Sequence, residues 1–257
     1  MNLDFEKSLT YIGKDTQWVN KLLAGSGIIL AAFAVFILPI FVLILSNSAT
    51  ATILSFVLCF IFSFVLSFAL AGYVAETANK RINYQNSILP DWNDFGRFIV
   101  TGLKYFVGYF LYCLPLIIAS CIYFFLLAVT MSGYHIHSAS HQAVPFILLT
   151  LLGALLLLFY ILVIVFCPLM MCNFFKNLKI LSFVDFKEAF SLVKDNAGNY
   201  FVLILLFIAL SVMMQILCSV LAITVVGLIL IPVAYFYTYL VMAEICAQFV
   251  LSAKDKE

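Results

Sequence analysis

The chain has 257 residues, of which 66% are hydrophobic and 10% charged, with a formal net charge of +1. Its mean hydropathy is +1.18, whereas a soluble domain carries about 25% charged residues, so a soluble globular fold is excluded. The near-neutral charge leaves no electrostatic footprint for a nucleic-acid partner.

The apolar runs do not alternate with polar residues as membrane β-strands would. They are long enough for helices that cross a hydrocarbon core of ~30 Å. The expected fold class is therefore an all-α integral membrane protein with six transmembrane helices. The first span covers about 22–45; it starts only after about twenty mostly polar residues and is too long for the h-region of a cleavable signal peptide, so none is expected. The second covers about 51–74, the third 102–129 with Pro115 inside it, and the fourth 145–172 with Pro168 near its end. The fifth and sixth share one apolar stretch, 200–251, which would be roughly 75 Å long as a single helix at 1.5 Å per residue. It must fold back, and Val226-Gly227, with Pro232 just beyond, is the break signal. Pro115, Pro168 and Pro232 are expected kinks.

All 13 Lys and Arg residues fall in four polar stretches, at 7–21, 80–104, 176–194 and 254–256. The connections at 46–50, at 130–144 and near Gly227 carry no fixed charge. One-sided Lys/Arg places the polar stretches, and both termini, in the cytoplasm of a cell-membrane protein. The seven cysteines all lie in apolar runs, where a thiol is ordinarily a small hydrophobe, and no paired Cys-x-x-Cys spacing appears.

Three cytoplasmic segments look alike. Asp4-Phe5, Asp94-Phe95 and Asp185-Phe186 are separated by 90 and 91 residues. Each is followed by a lysine (Lys14, Lys104, Lys194), then an aromatic (Trp18, Tyr109, Tyr200), then a span. Phe5, Leu9 and Ile12 share one helical face, as do Trp92, Phe95, Ile99 and Gly102, and Phe183, Phe186, Phe190 and Val193. Helices of this kind lie in the membrane interface. The expected unit is an interfacial helix followed by a hairpin inserted from the cytoplasmic side, used three times over 1–90, 91–181 and 182–257. Asp4, Asp94 and Asp185 are expected on solvated helix faces rather than as a catalytic set.

The stretch Leu89-Pro90-Asp91-Trp92-Asn93-Asp94-Phe95-Gly96, with Thr101-Gly102-Leu103-Lys104 after it, resembles the "LPxWxDxG…GLK" signature of the prokaryotic membrane family called domain of unknown function 4013. Lys14-Asp15-Thr16-Gln17-Trp18-Val19-Asn20-Lys21-Leu22-Leu23 is similar to that family's opening "KDxxWxxKLL". Phe186-Lys187-Glu188-Ala189-Phe190 is similar to the "FxEAF" segment of several six-helix families. The resemblance implies a bacterial or archaeal polytopic protein and implies no catalytic residues. Physically, Pro90 discourages helix at Leu89. Asp91 or Asn93 is then placed to cap the following helix, and Trp92 to enter the interface with its indole N–H kept wet.

Glu244 reads as the one carboxylate well inside a span, roughly 10 Å from its end, with no buried Lys or Arg in view to pair with it. An ionisable group at that depth is a candidate functional site. Gln248 lies one turn on, on the same face, and Gln215 in the fifth span is a second candidate companion. His135, His137 and His141 lie in one outer loop and form a weak candidate metal site with no acidic or Cys residue to complete it. No nucleophile constellation, phosphate loop or paired carboxylates appear, so neither an enzyme nor a cofactor is expected. The leading expectation is a scaffold, accessory or lipid-interacting membrane protein. Trp18, Lys21, Lys80, Arg81, Trp92, Arg97, Lys104, Lys187 and Lys194 are its candidate contacts to anionic lipid headgroups or a membrane-protein partner, a second copy included. The alternative is a transporter or channel for a small or apolar solute, using the bundle centre, Pro115, Pro232 and Glu244.

Overall fold

Asp4 opens the first helix by accepting the Lys7 backbone N–H at 3.0 Å, which caps α1 (Phe5–Tyr11). The structure is a computed structural model and describes residues 3–46, 48–84, 89–133, 143–194 and 196–254. Nearly all of these are helical, and no strand occurs among them.

The first span is α2 (Trp18–Ala34) and α3 (Leu38–Ser46), joined by a 3-10 turn over Val35–Ile37. Pro39 accounts for the break: it has no N–H to give the Val35 carbonyl, and its ring crowds that oxygen. Ser48 then caps α4 (Ala49–Asn83) through the Ala51 N–H. A 3-10 turn, Trp92–Asp94, leads into α5 (Phe95–Gly133), and α6 (Ala143–Asn177) follows. A further 3-10 turn (Ile180–Phe183) precedes α7 (Phe186–Lys194), where Asp185 accepts the Glu188 N–H at 3.0 Å. The chain ends in α8 (Ala197–Leu221) and α9 (Val225–Lys254). Six of these helical lengths are long and apolar enough to cross a membrane, and the chain is a multi-pass membrane protein.

Several boundaries differ from the sequence reading. The long helices run past the expected span ends, α4 by nine residues to Asn83 and α6 by five to Asn177. The last two spans part at 222–224, and Gly227 lies inside α9. A Cβ there would sit 1.9 Å from the Leu221 carbonyl oxygen, so glycine is what lets α9 begin so close to the end of α8. The Thr224 hydroxyl accepts the Gly227 N–H at 2.9 Å and starts the new helix. The three Asp-Phe segments also differ from one another. The first and third are separate short helices with Asp4 and Asp185 as caps, whereas the second runs directly into α5. Asp4 and Asp185 are exposed, as expected, and also cap their helices.

Burial divides the molecule into two tiers. Residues 27–46, 49–68, 146–165 and 201–220 are apolar and mostly exposed. Each stretch is about 20 residues, ~30 Å at 1.5 Å per residue, one hydrocarbon thickness. Beyond them the same helices enter a packed head. Residues 69–82 of α4, 168–175 of α6 and 240–252 of α9 are largely buried, around Tyr73, Phe174, Phe175, Phe183, Phe236 and Phe249. The total accessible surface of 15109 Å² exceeds the ~11,000 Å² of a compact chain of this mass. The excess lies on the apolar tier, so the head carries most of the side-chain packing.

In this head α4 and α5 touch backbone to backbone. A Cβ on Gly72 would lie 1.8 Å from the Phe98 carbonyl oxygen, and one on Gly102 1.8 Å from that of Phe68. Small residues at such a crossing let two helices approach more closely than side chains allow.

Candidate functional site

Three buried ion-pair clusters sit in the head. In the first, Arg81 near the end of α4 faces Glu244 on α9, and its Nε–H divides between the two carboxylate oxygens at 3.1 Å each. The side chains are 10% and 0% exposed. Gln248, one turn beyond Glu244, donates to Glu244 Oε1 at 3.3 Å and to the Ser8 hydroxyl at 3.0 Å. Its own oxygen accepts the Asp4 N–H at 2.9 Å. The Tyr11 ring lies 5.4 Å from the Arg81 guanidinium carbon, and the Tyr237 hydroxyl donates to the Leu9 carbonyl at 2.8 Å. Helix α1 thereby covers the pair like a lid fastened at four points.

The second cluster centres on Glu76, whose side chain is 3% exposed. Arg97 Nε and Nη2 reach its two oxygens at 3.0 and 2.7 Å, and the Thr101 hydroxyl adds a third bond at 3.0 Å. Arg97 and Thr101 are four residues apart on α5 and so share a face.

In the third, the Lys21 ammonium donates to Asp15 Oδ2 at 2.8 Å, the Leu89 carbonyl at 2.8 Å and Asp91 Oδ1 at 2.9 Å. That uses all three of its protons. The Trp92 indole N–H donates to the Lys21 carbonyl at 3.1 Å, and its ring stacks on Tyr73 at 4.1 Å with a 7° interplanar angle. The Tyr73 hydroxyl completes the corner by donating to the Pro90 carbonyl at 2.9 Å.

The positions expected to be functional thus fall into two groups. Glu244 and Gln248 do come together, but Glu244 has a buried cation for a partner, and Glu76 is a second deeply buried carboxylate. Gln215 is exposed on α8 and is not among the partners of Glu244. Of the candidate lipid contacts, Lys21 and Arg81 point inward, Lys21 with all three ammonium protons used and Arg81 bound to Glu244 through its Nε–H. Trp92 bonds inside the protein rather than to water, because the backbone of α2 reaches its indole first. Asp91 makes no helix-capping bond, since its carboxylate goes to Lys21. Trp18, Lys104, Lys187 and Lys194 are exposed, Lys80 is half-buried, and Arg97 is 59% exposed while holding Glu76. His135, His137 and His141 lie outside the described residues.

Sequence reasoning overlooked Glu76, Asp15, Ser8 and Thr101. Arg97 and Thr101 at i and i+4 were a local sign of a shared acceptor. Nothing local could have joined Arg81 to a residue 163 positions away.

The arrangement is suited to holding helices together. Each cluster joins segments distant in sequence, and each buried charge has an opposite charge with added hydrogen bonds, the condition under which buried ion pairs persist. An apolar cleft of about 460 Å³ between Tyr123 on α5 and Leu155 and Phe159 on α6 lies in the exposed tier, away from all three clusters.

The family model described as Protein of unknown function (DUF4013) matches residues 53–223, about two thirds of the chain. No curated protein matches it. No solved structure matches it.

Proposed function

We propose that this chain, which belongs to the DUF4013 family, is a non-enzymatic protein of the cell membrane that serves as a scaffold or accessory subunit and holds anionic lipid at its cytoplasmic face. One observation carries the reading. The deeply buried ionisable groups of the head are bonded to one another, while among the described residues Lys14, Lys104, Lys187 and Lys194 have no ion-pair partner within 4.0 Å. On α7, Lys187 and Lys194 accompany Phe186 and Phe190, each 47% exposed. That combination suits an interfacial helix whose rings enter the acyl boundary. Each such lysine adds about 1 kcal/mol of attraction to an anionic leaflet.

The one-sided charge supports cytoplasmic termini. A membrane-impermeant thiol reagent should label a cysteine placed at Ser138 from outside and leave one at the exposed position Lys187 untouched. The reverse pattern would invert the orientation. The lipid reading is tested by flotation with liposomes of neutral lipid alone or with added phosphatidylglycerol, and by native mass spectrometry of retained lipid. Anionic lipid should be retained preferentially, and Lys187→Ala/Lys194→Ala should reduce the preference. Equal retention of neutral and anionic lipid would end this reading. A transporter or channel through the bundle centre is less well supported, because its polar candidate Glu244 is held by Arg81 and Gln248.

A further inference from the structure

A polar recess of about 170 Å³ opens between the second and third clusters and shares Glu76, Arg97 and Asp91 with them. Its walls carry opposite charges. Lys80 and Arg97 contribute cations to its lining, and Asp91 and Asp94 contribute carboxylates beside the paired Glu76. Among the described residues, no ion pair within 4.0 Å joins these cations to these carboxylates. Among the described residues, the Lys80 ammonium has no hydrogen-bond acceptor or ion-pair partner within 4.0 Å, and the Asp94 carboxylate has no donor. Arg97 commits two of its five N–H donors to Glu76 and keeps three. Asp91 gives one oxygen to Lys21 and keeps the other.

A ligand that satisfies this recess must bear both charges a short distance apart. A simple anion would meet Lys80 and Arg97 but also two carboxylates. A simple cation would meet the reverse. The recess also adjoins an apolar surface: Val100 is 52% and Leu103 45% exposed on the next turns of α5. A headgroup seated here can have its acyl chains against that surface.

We propose that the recess binds the headgroup of a phosphatidylethanolamine-class lipid, the phosphodiester against Lys80 and Arg97 and the primary ammonium against Asp91 and Asp94. A primary ammonium donates hydrogen bonds to carboxylates, and charge-assisted bonds of this kind are the strong ones. A quaternary choline has no such donor, so the site discriminates between two zwitterions of equal charge. This inference rests on the lipid-facing reading of the charged side but differs from the anionic-lipid collar in ligand and in residues.

The test uses the purified full-length protein, with phosphatidylethanolamine, phosphatidylcholine or phosphatidylglycerol of matched acyl chains added in detergent. Native mass spectrometry should show phosphatidylethanolamine retained at one per chain in preference to phosphatidylcholine. Lys80→Ala and Asp94→Asn should each weaken that retention roughly tenfold, about the loss of one hydrogen bond to a charged group. Both side chains are at least partly exposed, and a thermal melt checks that each variant remains folded. Lys187→Ala, remote from the recess, should leave it unchanged. Free phosphoethanolamine should compete only at much higher concentration, and competition at equal concentration would identify a soluble ligand of the same chemistry. Equal retention of phosphatidylglycerol, insensitive to Asp94→Asn, would reduce the recess to an anion site and overturn the proposal. So would phosphatidylcholine held as tightly. If phosphatidylethanolamine shows no preference while anionic-lipid retention still depends on Lys187 and Lys194, the recess fails and the collar stands. Loss of both defeats both.

Discussion

Arg81 and Glu244 stand 163 residues apart in sequence and share a divided hydrogen bond at 3.1 Å in a site where the carboxylate is completely buried. Removing one partner leaves the other charged and enclosed, at a cost of ~3–5 kcal/mol. Arg81→Met and Glu244→Leu are each expected to lower the thermal midpoint sharply in detergent. The double variant should recover part of the loss, because two apolar side chains bury more easily than one lone charge. Additive losses in the double-mutant cycle would show that the two residues do not interact.

The crossing of α4 and α5 has no room for a methyl group. Gly72→Ala and Gly102→Ala are each expected to destabilise by about 3 kcal/mol or more, the upper range of overpacking, since the opposing atoms are backbone carbonyls that cannot rotate away. Gly96→Ala and Gly198→Ala meet nothing within 4 Å and sit in helices, so they should be neutral or stabilising by up to ~1 kcal/mol. Thermal melts of the four variants check the contrast, and equal effects at all four positions would refute the close approach.

Trp92 contributes both a ring and a donor. Trp92→Phe keeps an aromatic over Tyr73 but drops the bond to the Lys21 carbonyl, an expected loss of ~1 kcal/mol. Trp92→Ala removes the stack as well and should cost ~3–5 kcal/mol. Equal losses from the two would mean that only the N–H matters.

Acid should weaken the outer edge of the head. Burial opposes the charged form of Glu188, yet the Asn177 amide and the Lys176 ammonium outweigh it and hold its carboxyl below the ordinary value. Asp91 is lowered in the same direction by the Lys21 ammonium. A carboxyl lowered in the native state stabilises fully above its unfolded pKa, about 4 for these groups, and that contribution is lost as pH falls through the lower native value. The thermal midpoint of the wild type should therefore fall more steeply below about pH 4 than that of Glu188→Gln. Parallel curves would show that Glu188 contributes nothing.

The apolar tier was plain in the sequence because a membrane span needs only length and hydropathy, which are local properties. So was the face shared by Glu244 and Gln248, since i and i+4 on a helix meet whatever the rest of the chain does. The corner at Leu89-Pro90-Asp91-Trp92 was visible as a helix-free turn. What its side chains touch was not, because Lys21 and Tyr73 come from other helices. Arg81 looked like a basic residue at the cytoplasmic edge because charge next to a span usually ends in water. Here α4 continues past the expected membrane boundary into a protein interior, and the same arginine becomes a core residue. Glu76 was passed over for the same reason. The extent of the helices beyond the bilayer was the missing quantity, and composition does not encode it.

The lid over the Arg81–Glu244 pair ties α1 to α9. Asp4 and Ser8 bond to Gln248 across 244 and 240 residues, and Tyr237 reaches Leu9 across 228. In a protein made from its N-terminus, α1 emerges well before α9, the surface on which it docks. Contacts of such sequence separation close late, after the entropy of the intervening loop has been overcome. With five spans inserted and α9 still unmade, Arg81 has no carboxylate and the α1 strap has nothing to bind. Closure of the head therefore waits for α9: without that helix Arg81 is stranded and α1 has no surface to dock on.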